Sequence, residues 1–362
     1  MIGLAVTADY ELFLGANYAG ADEVLFEPTR QLLALAQQHH VPLTLFADVC
    51  SVWAHRRYGL DRFADKFEAQ LKEAVQHGHD VQLHLHPHWE SAVYRSGKWC
   101  VPEGSALHIS EVLDSADLIV RGRISLESLL RPISPVYRCL AFRAAGLALQ
   151  PGERTLIGHL VRAGLFVDSS IAKGYTLKTD TVMLDYTKSP PLANWWITEQ
   201  TGLVPGAPPG LFEVPIATFE LPLADRIRFL VRRALRVRQR RGAPLSRSVR
   251  RSPLSHGVAL LAGNARYFGW RPKFLFSVDT KGFTAKMLLR GFHNYISAHD
   301  TECPVYTSMI LHPKLLFSEQ LELLTVIFEC LRRTYREQLD FVTLAQIARK
   351  VRPAPPVIRG LN

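Results

Sequence analysis

The most informative run in this chain reads Asp80-Val81-Gln82-Leu83-His84-Leu85-His86-Pro87-His88-Trp89. An extended apolar pattern leads into it, and Pro87 has to end the strand. Because alternate side chains of a strand share one face, His84 and His86 project together, and a turn at Pro87 can bring His88 towards them. A lone histidine is more often an ordinary core or surface residue, but three within five positions are costly to bury without a partner. Imidazole binds Zn, Fe, Ni and Co, so the run indicates a metal site that needs an acidic partner.

Length and composition favour a large α/β protein. With 362 residues, 48% of them hydrophobic, the chain can bury one large core or two ordinary ones. Its five cysteines are scattered and odd in number, which argues against a disulfide framework and for a reducing compartment. The first residues, 1–6, lack the basic start and the length of a signal peptide, and no apolar run approaches a membrane span. We therefore expect a cytoplasmic protein, soluble or peripheral at a membrane.

Strand-like runs alternate with helix-like segments, a pattern typical of a parallel sheet or barrel. Besides the histidine strand, the strand candidates are 2–7, 41–47, 165–169, 211–216, 274–278, 307–311 and 341–344. Polar residues fall at or just beyond the ends of these strands, namely Asp9, Asp48, His84, Asp168, Asp279 and His312. An α/β barrel assembles its active site at that edge, and no G-x-G-x-x-G or P-loop favours an open doubly wound sheet. The sequence thus predicts an α/β barrel.

The segment 225–251 differs in composition from the rest. It holds eleven arginines against a single acid, and apolar residues recur at helical spacing in its first half. A basic amphipathic helix suits an anionic membrane surface or a phosphate-bearing ligand. A solvated insertion is an equally good interpretation, and no zinc finger, RNA-recognition or helix-turn-helix pattern supports nucleic acid.

The first strand ends in two carboxylates. Asp9 and Glu11 are two positions apart, so both can face the same side of the strand end. Beside a histidine pair, one carboxylate can bind a metal while the other accepts a proton from water.

These residues resemble the polysaccharide deacetylases of carbohydrate esterase family 4. The matching motifs, in the family's order, are Asp9-x-Glu11, Gly78-His79-Asp80-Val81 leading to His84-x-x-x-His88, Phe142-Arg143-Ala144-Ala145-Gly146, Phe166-Val167-Asp168-Ser169-Ser170, Leu311-His312-Pro313 and Phe341-Val342-Thr343-Leu344. The resemblance spans most of the chain. It implies one domain over 1–362, folded as a distorted, incomplete (β/α) barrel, with 222–268 as a basic insertion.

The resemblance also implies roles for individual residues. Glu11, His84 and His88 would bind a divalent metal, by default Zn, although Fe, Co and Ni accept the same ligands. Two histidines and one carboxylate leave positions open for water and an amide carbonyl.

Four further residues would carry the proton chemistry. The resemblance makes Asp9 the general base, held by Arg143, and His312 the general acid, oriented by Asp168. An acid beside His312 favours the protonated imidazole that a general acid needs.

Several positions depart from the family pattern. Tyr10 stands where many members have the metal-binding aspartate, and the usual prolines are missing after Arg143. His86 aligns with a position that does not bind metal, so we expect it to contact substrate or support the site. Trp195 and Trp196 could stack on a sugar ring, or simply pack in the protein.

The leading hypothesis is metal-dependent removal of an N-acyl group, most simply N-acetyl, from an amino sugar of a glycan or glycan precursor. Such an enzyme in the cytoplasm would act in building cell-surface polysaccharide, with 225–251 holding it at the inner membrane surface. The alternative is a catalytically degenerate domain that binds glycan or anionic lipid. A nucleic-acid-binding protein, which we do not expect, would show steeply salt-dependent binding independent of metal.

Overall fold

The computed structural model describes residues 1–13, 20–112, 114–178, 182–238, 272–300 and 302–352. In chain order the strands are β1 (Ile2–Tyr10), β2 (Leu43–Asp48), β3 (Asp80–Leu85), β4 (Val93–Arg95), β5 (Lys98–Cys100), β6 (Ala141–Ala144), β7 (Val167–Asp168), β8 (Thr176–Lys178), β9 (Met183–Asp185), β10 (Trp195–Thr198), β11 (Gly202–Gly206), β12 (Leu211–Glu213), β13 (Thr218–Glu220), β14 (Lys273–Leu275), β15 (Val305–Leu311) and β16 (Leu339–Phe341). The helices are α1 (Glu27–Gln38), α2 (Val49–Arg57), α3 (Asp61–Gln76), α4 (His88–Ser91), α5 (Ser115–Leu130), α6 (Glu153–Arg162), α7 (Leu223–Arg238), α8 (Ala285–Ser297), α9 (Ser318–Tyr335) and α10 (Leu344–Val351).

The main sheet runs in the order β11-β10-β12-β7-β6-β3-β2-β1-β15, with β16 also paired to β1. From β12 to β15 every neighbouring pair is parallel. A single bridge, Ile216 to Ser308, joins the two ends of this parallel array, because Ile216 follows β12 and Ser308 lies on β15. The array therefore curls into a barrel whose ends meet at a narrow seam without a continuous strand pairing, and the predicted distorted, incomplete (β/α) barrel is confirmed.

Burial on both faces explains why the wall strands read as continuous apolar runs. All nine residues of β1 are buried, because the barrel interior lies on one side and helices on the other. Gly3 is required within it, since a Cβ there would lie 2.5 Å from the Tyr306 ring. Outside the wall, α3 buries an apolar stripe that includes Phe63, Phe67 and Leu71.

One segment that was predicted to form a strand of the barrel wall, 274–278, does not join the main sheet. Strand β14, in the predicted segment 274–278, pairs antiparallel with β13 as a separate two-stranded ribbon. The ribbon buries aromatic rings rather than completing the barrel, since Phe274 packs on Phe219, Phe229 and Phe283.

The predicted helix at the start of 225–251 is present as α7, whereas residues 239–251, like most of the proposed insertion 222–268, lie outside the described residues. Within the described part of the chain, no helix is both long and apolar enough to cross a membrane.

Candidate active site

The site is assembled from the ends of neighbouring wall strands. Asp9 and Tyr10 end β1, Asp48 ends β2, and His84 lies directly opposite Asp48 on β3. Parallel strands bring these carboxyl-terminal ends to one edge of the barrel, where the sequence placed them. Glu11 continues from β1 into the same space and is 5% exposed.

Glu11 meets two imidazoles. Its Oε2 lies 3.2 Å from His84 Nε2 and also contacts His86 Nε2, and the two Nε2 atoms are 3.1 Å apart. Among the described residues, this group of three is the one whose donor atoms lie close enough together to hold a metal ion.

The orientation of His84 shows why this group suits a cation. Its Nδ1 lies 2.7 Å from the carbonyl oxygen of Arg143, which can only accept, so Nδ1 carries the proton. A neutral His84 therefore turns the Nε2 lone pair towards a carboxylate oxygen. Two such atoms repel each other unless a proton or a metal ion lies between them, and the donor set thus fits a divalent metal.

His88, predicted as a ligand, lies outside this group of three, which includes His86 instead. Strand β3 ends at Leu85 and α4 begins at His88, so the turn between them swings His86 rather than His88 over Glu11. His88 is 2% exposed, and neither ring nitrogen has a hydrogen-bond partner in the described structure. Burial lowers its pKa to about 3, which keeps the imidazole neutral and its lone pair available.

Lys314 supplies a charge that the sequence analysis missed. Its Nζ lies 2.6 Å from Glu11 Oε1 and 3.2 Å from the Leu12 carbonyl oxygen. Burial raises the pKa of Glu11, but Lys314 and His86 outweigh burial and hold that pKa well below its usual value. Glu11 is therefore ionised, with its two oxygens shared between an ammonium and the imidazole pair.

Asp9 is fixed by Arg143, and the contact that the resemblance implied is present. The buried guanidinium donates to Asp9 Oδ1 at 2.8 Å, to Thr7 Oγ1 at 2.7 Å and to the Ser169 carbonyl at 2.8 Å. It also stacks 4.3 Å from the Phe46 ring centre. Burial raises the pKa of Asp9, but the attraction of Arg143, aided by nearby imidazoles, leaves that pKa below its usual value. The carboxylate is ionised and held in one orientation.

His312 is oriented by Asp279 rather than by Asp168. Its Nδ1 lies 2.8 Å from Asp279 Oδ2, and its backbone N–H donates to Asp279 Oδ1 at 3.2 Å. This leaves Nε2 facing Asp9, 3.5 Å from Oδ2. Burial lowers the pKa of His312, but Asp279 and the two site carboxylates more than compensate and raise it above the usual value. The prediction that Asp168 orients His312 is wrong.

Asp168 instead belongs to a buried carboxyl pair inside the barrel. It accepts from the Ser170 hydroxyl and backbone N–H, both at 2.9 Å, and lies opposite Glu213 across the pairing of β7 with β12. Burial raises the pKa of both carboxyls, that of Glu213 most strongly, with Asp168 adding to it. One proton shared between the two carboxyls removes the repulsion between two buried charges.

Trp195 and Trp196 lie on β10, and their contacts favour packing over sugar stacking. Trp195 is 4% exposed, and its ring N–H donates to the Leu203 carbonyl at 3.0 Å. Trp196 packs edge-on against Phe166 and Phe212. Aromatic residues do line a cavity of about 490 Å³ elsewhere on the protein, to which Leu12 contributes but Asp9, Glu11, His84 and His312 do not. Its walls include Tyr94, Trp99, His55 and Phe63.

Asp48 adds a further polar group that the sequence listed without a role. Its Oδ1 accepts from the His86 backbone N–H at 3.1 Å, and Oδ2 is buried with no hydrogen-bond partner in the described structure. Burial raises the pKa of this carboxyl. The position of Asp48 at a strand end, like that of Asp279, was a signal in the sequence that it could belong to the site. Lys314 could be suspected only from its place two residues after His312.

No protein-family model and no curated protein sequence matches this chain. Among solved structures, the chain is similar to a protein from Mycobacterium smegmatis described as a polysaccharide deacetylase. That similarity has 13% identity and a TM-score of 0.48, over 97% of this chain and 90% of that one. It is also similar to the allantoinase Puue, with 14% identity and a TM-score of 0.48 over 98% of this chain and 92% of that one.

A third similarity, to 4-alpha-glucanotransferase from Thermococcus litoralis, has 8% identity and a TM-score of 0.50. It covers 98% of this chain but 41% of that one. At such identities this likeness shows a common barrel fold and says nothing about chemistry.

Proposed function

We propose that this protein is a metal-dependent hydrolase that removes an N-acyl group, most simply N-acetyl, from an amino-sugar unit of a glycan or glycan precursor. The observation that carries the proposal is the contact of the ionised Glu11 carboxylate with two imidazole Nε2 atoms. Glu11, His84 and His86 would hold the ion, and His88 contributes a third imidazole nearby, with no hydrogen-bond partner in the described structure. Zn is the default for such ligands, with Fe, Co or Ni as alternatives.

The neighbouring residues divide the proton chemistry between them. When bound, the metal supplies Lewis-acid chemistry, which makes water nucleophilic at neutral pH. Asp9, ionised and fixed by Arg143, accepts the proton from that water as general base. His312, kept protonated by Asp279, delivers a proton to the departing amine nitrogen as general acid. His312 Nε2 lies 3.5 Å from Asp9 Oδ2, so the proposed acid and the proposed base lie at the same end of the barrel.

The sugar is proposed from the resemblance of the motifs to those of the polysaccharide deacetylases. Similar solved structures include proteins described as polysaccharide deacetylases, one of them a peptidoglycan N-acetylglucosamine deacetylase with a TM-score of 0.36.

The first test is metal content by mass spectrometry of the native protein and of alanine variants at Glu11, His84, His86 and His88. We expect near-stoichiometric metal in the wild type and its loss in the first three variants, with an exposed-histidine variant, His77→Ala, as the control. If the metal were retained in His86→Ala and lost in His88→Ala, the ligands would be Glu11, His84 and His88, as the sequence resemblance implied.

The second test measures amine release from N-acetylated amino sugars by the metal-loaded protein, with Asp9→Asn as the inactive control. Absence of bound metal after reconstitution with Zn, Co or Ni would rule the hydrolase out.

One observation favours a second candidate, a catalytically degenerate domain that binds glycan without turnover. The Lys314 ammonium already lies 2.6 Å from Glu11 and balances part of its charge. A site of this kind would bind sugar without metal and release no amine, and the variant Lys314→Met would then acquire metal binding that the wild type lacks. If the wild type binds metal with Lys314 in place, this candidate fails.

A further inference from the structure

Helix α7 presents apolar residues on its outward face. Leu223, Ile227 and Val231, spaced one turn apart, are 63%, 54% and 53% exposed. The opposite face is the one that packs on the protein, because Phe229 is fully buried against Phe274 and Phe283, with ring centres 5.3 and 4.6 Å away. A helix on the surface of a globular protein normally turns a polar face outward, so the exposed aliphatic residues of α7 are unusual.

Basic residues flank this aliphatic ridge. Arg228 follows Ile227 and is 72% exposed at its side chain, paired at 3.2 Å with Asp225 at the start of the helix. A groove of about 440 Å³ runs between the ridge and the first turn of α8, with Arg228, Arg232 and Lys286 beside Ile227, Val231 and Met287. Apolar and cationic groups therefore alternate across one surface.

A further apolar residue with a cation beside it lies near α7. Phe317 is 50% exposed, and Lys281 Nζ lies 4.5 Å over its ring. Lys281 precedes Gly282, whose backbone is packed so closely on α7 that a Cβ there would lie 2.9 Å from the Phe229 carbonyl oxygen. The same loop carries Asp279, the partner of His312. The basic, apolar surface thus adjoins the catalytic edge of the barrel.

We propose that the outward face of α7 docks on an anionic phospholipid bilayer. Its aliphatic ridge would enter the boundary between headgroups and acyl chains, while Arg228, Arg232 and Lys286 in the groove would meet lipid phosphates. Charge complementarity supports this partner, since the chain carries a net charge of +10 and α7 begins the segment with eleven arginines and a single acid. A nucleic acid would meet the cations but would leave an aliphatic ridge against its charged backbone. The inference is independent of the proposed chemistry and survives its failure.

The test is flotation of the full chain with vesicles of phosphatidylcholine alone or mixed with phosphatidylglycerol. We expect binding to the mixed vesicles, weakening as salt rises, because exposed charges are screened beyond about 8 Å at physiological ionic strength. The triple variant Leu223→Ser, Ile227→Ser, Val231→Ser should lose at least about tenfold in binding through lost apolar burial. Arg228→Gln should lose about fivefold, as expected for one basic group at the membrane surface.

Matched control variants distinguish binding through the α7 surface from nonspecific binding of the protein to vesicles. Val204→Ser removes an aliphatic side chain that is 56% exposed on β11, and Arg30→Gln removes a cation that is 62% exposed on α1. Both should bind vesicles like the wild type. Because the substituted α7 side chains point away from the core, circular dichroism and the melting temperature should stay unchanged.

Three results would overturn the proposal. The first is absence of flotation with either vesicle, and the second is equal binding by the wild type and the triple variant. The third is a wild-type dimer in light scattering that the triple variant converts to monomer, which would make a second copy the occupant of this face.

Discussion

At the scale of single residues, the acid–base chemistry depends on which carboxylate touches which imidazole. Asp279 holds both Nδ1 and the backbone N–H of His312, so its charge stabilises the imidazolium. Because that charge raises the pKa of His312, the protonated form persists to higher pH, and removing the charge must lower the pKa. For Asp279→Asn we expect the His312 pKa, measured by NMR titration, to fall by about one unit or more. The alkaline limb of the kcat/KM profile should move to lower pH with it.

The isosteric variant Asp168→Asn is the matched control for this experiment. Asp168 bonds to Ser170 and does not contact His312, so its neutralisation should leave the His312 pKa in place. The reverse pattern, a shift with Asp168→Asn and none with Asp279→Asn, would reinstate the role that the motif resemblance implied.

Arg143 combines a catalytic contact with a structural one. Its fully buried guanidinium has partners on several strands, and Asp9 depends on it for charge compensation. For Arg143→Met we expect the free energy of unfolding, measured by urea denaturation, to fall by about 3–5 kcal/mol, because Asp9 is left as an unpaired buried charge. The surface pair Arg30–Glu27 gives the comparison, since Arg30→Met should leave the midpoint unchanged. A similarly small effect at Arg143 would mean that water reaches Asp9.

At the scale of elements, the carboxyl group of Asp80 connects the last helix, α10, to the barrel. Asp80, at the start of β3, accepts from the Ala345 N–H at 3.0 Å near the start of α10 and from the Gln82 side chain at 2.8 Å. Burial raises its pKa from 3.8 to about 6. Since its folded pKa exceeds the unfolded one, Asp80 lowers stability as pH rises from about 4 to 6, on the order of 3 kcal/mol in all.

The variant Asp80→Asn tests this linkage. Urea midpoints of the wild type and the variant, measured from pH 4 to pH 7, should show a stability difference that shifts in favour of the variant as pH rises and levels off above about pH 6. Asp80 lies at the opposite end of β3 from His84, so bound metal should not alter the result. A difference that stays constant across this range would show that Asp80 is ionised at all these pH values.

Elements also show where the sequence was sufficient and where it was not. Alternating strands and helices, with polar residues at the strand ends, were enough to predict the barrel. They were also enough to predict that Asp9, Glu11, His84 and His312 lie close together. The partner of His312 could not be predicted, because it depends on how the loop after β14 meets the end of β15 across a seam distant in sequence. Whether His86 or His88 lies over Glu11 likewise depends on the direction of the turn at Pro87. The spacing of the residues does not determine that direction.

For the whole molecule, the seam of the barrel joins both halves of the site. The Ala217 N–H donates to the Ser308 carbonyl at 3.0 Å, and the Ala217 carbonyl accepts from the Phe276 N–H at 2.8 Å. Ser308 lies on β15, which leads to His312, and Phe276 lies three residues before Asp279. The hydrogen bonds that close the barrel therefore also set the distance between the general acid and its partner.

The variant Ala217→Pro removes one N–H that bonds across the seam, whereas Ala217→Gly at the same position keeps it. We expect the proline variant to lose about 1–3 kcal/mol of stability from an unsatisfied buried carbonyl, against a smaller loss for the glycine variant. Amide hydrogen exchange should accelerate at Ser308 and Ile310, both bonded to the seam, and should stay slow in β2 on the far side of β1. Because Asp279 is displaced with Phe276, the His312 pKa should fall in the proline variant alone. If both variants kept the pKa and exchange of the wild type, the hydrogen bonds of the seam would not couple the two halves, and His312 and Asp279 would be held together by their own hydrogen bonds.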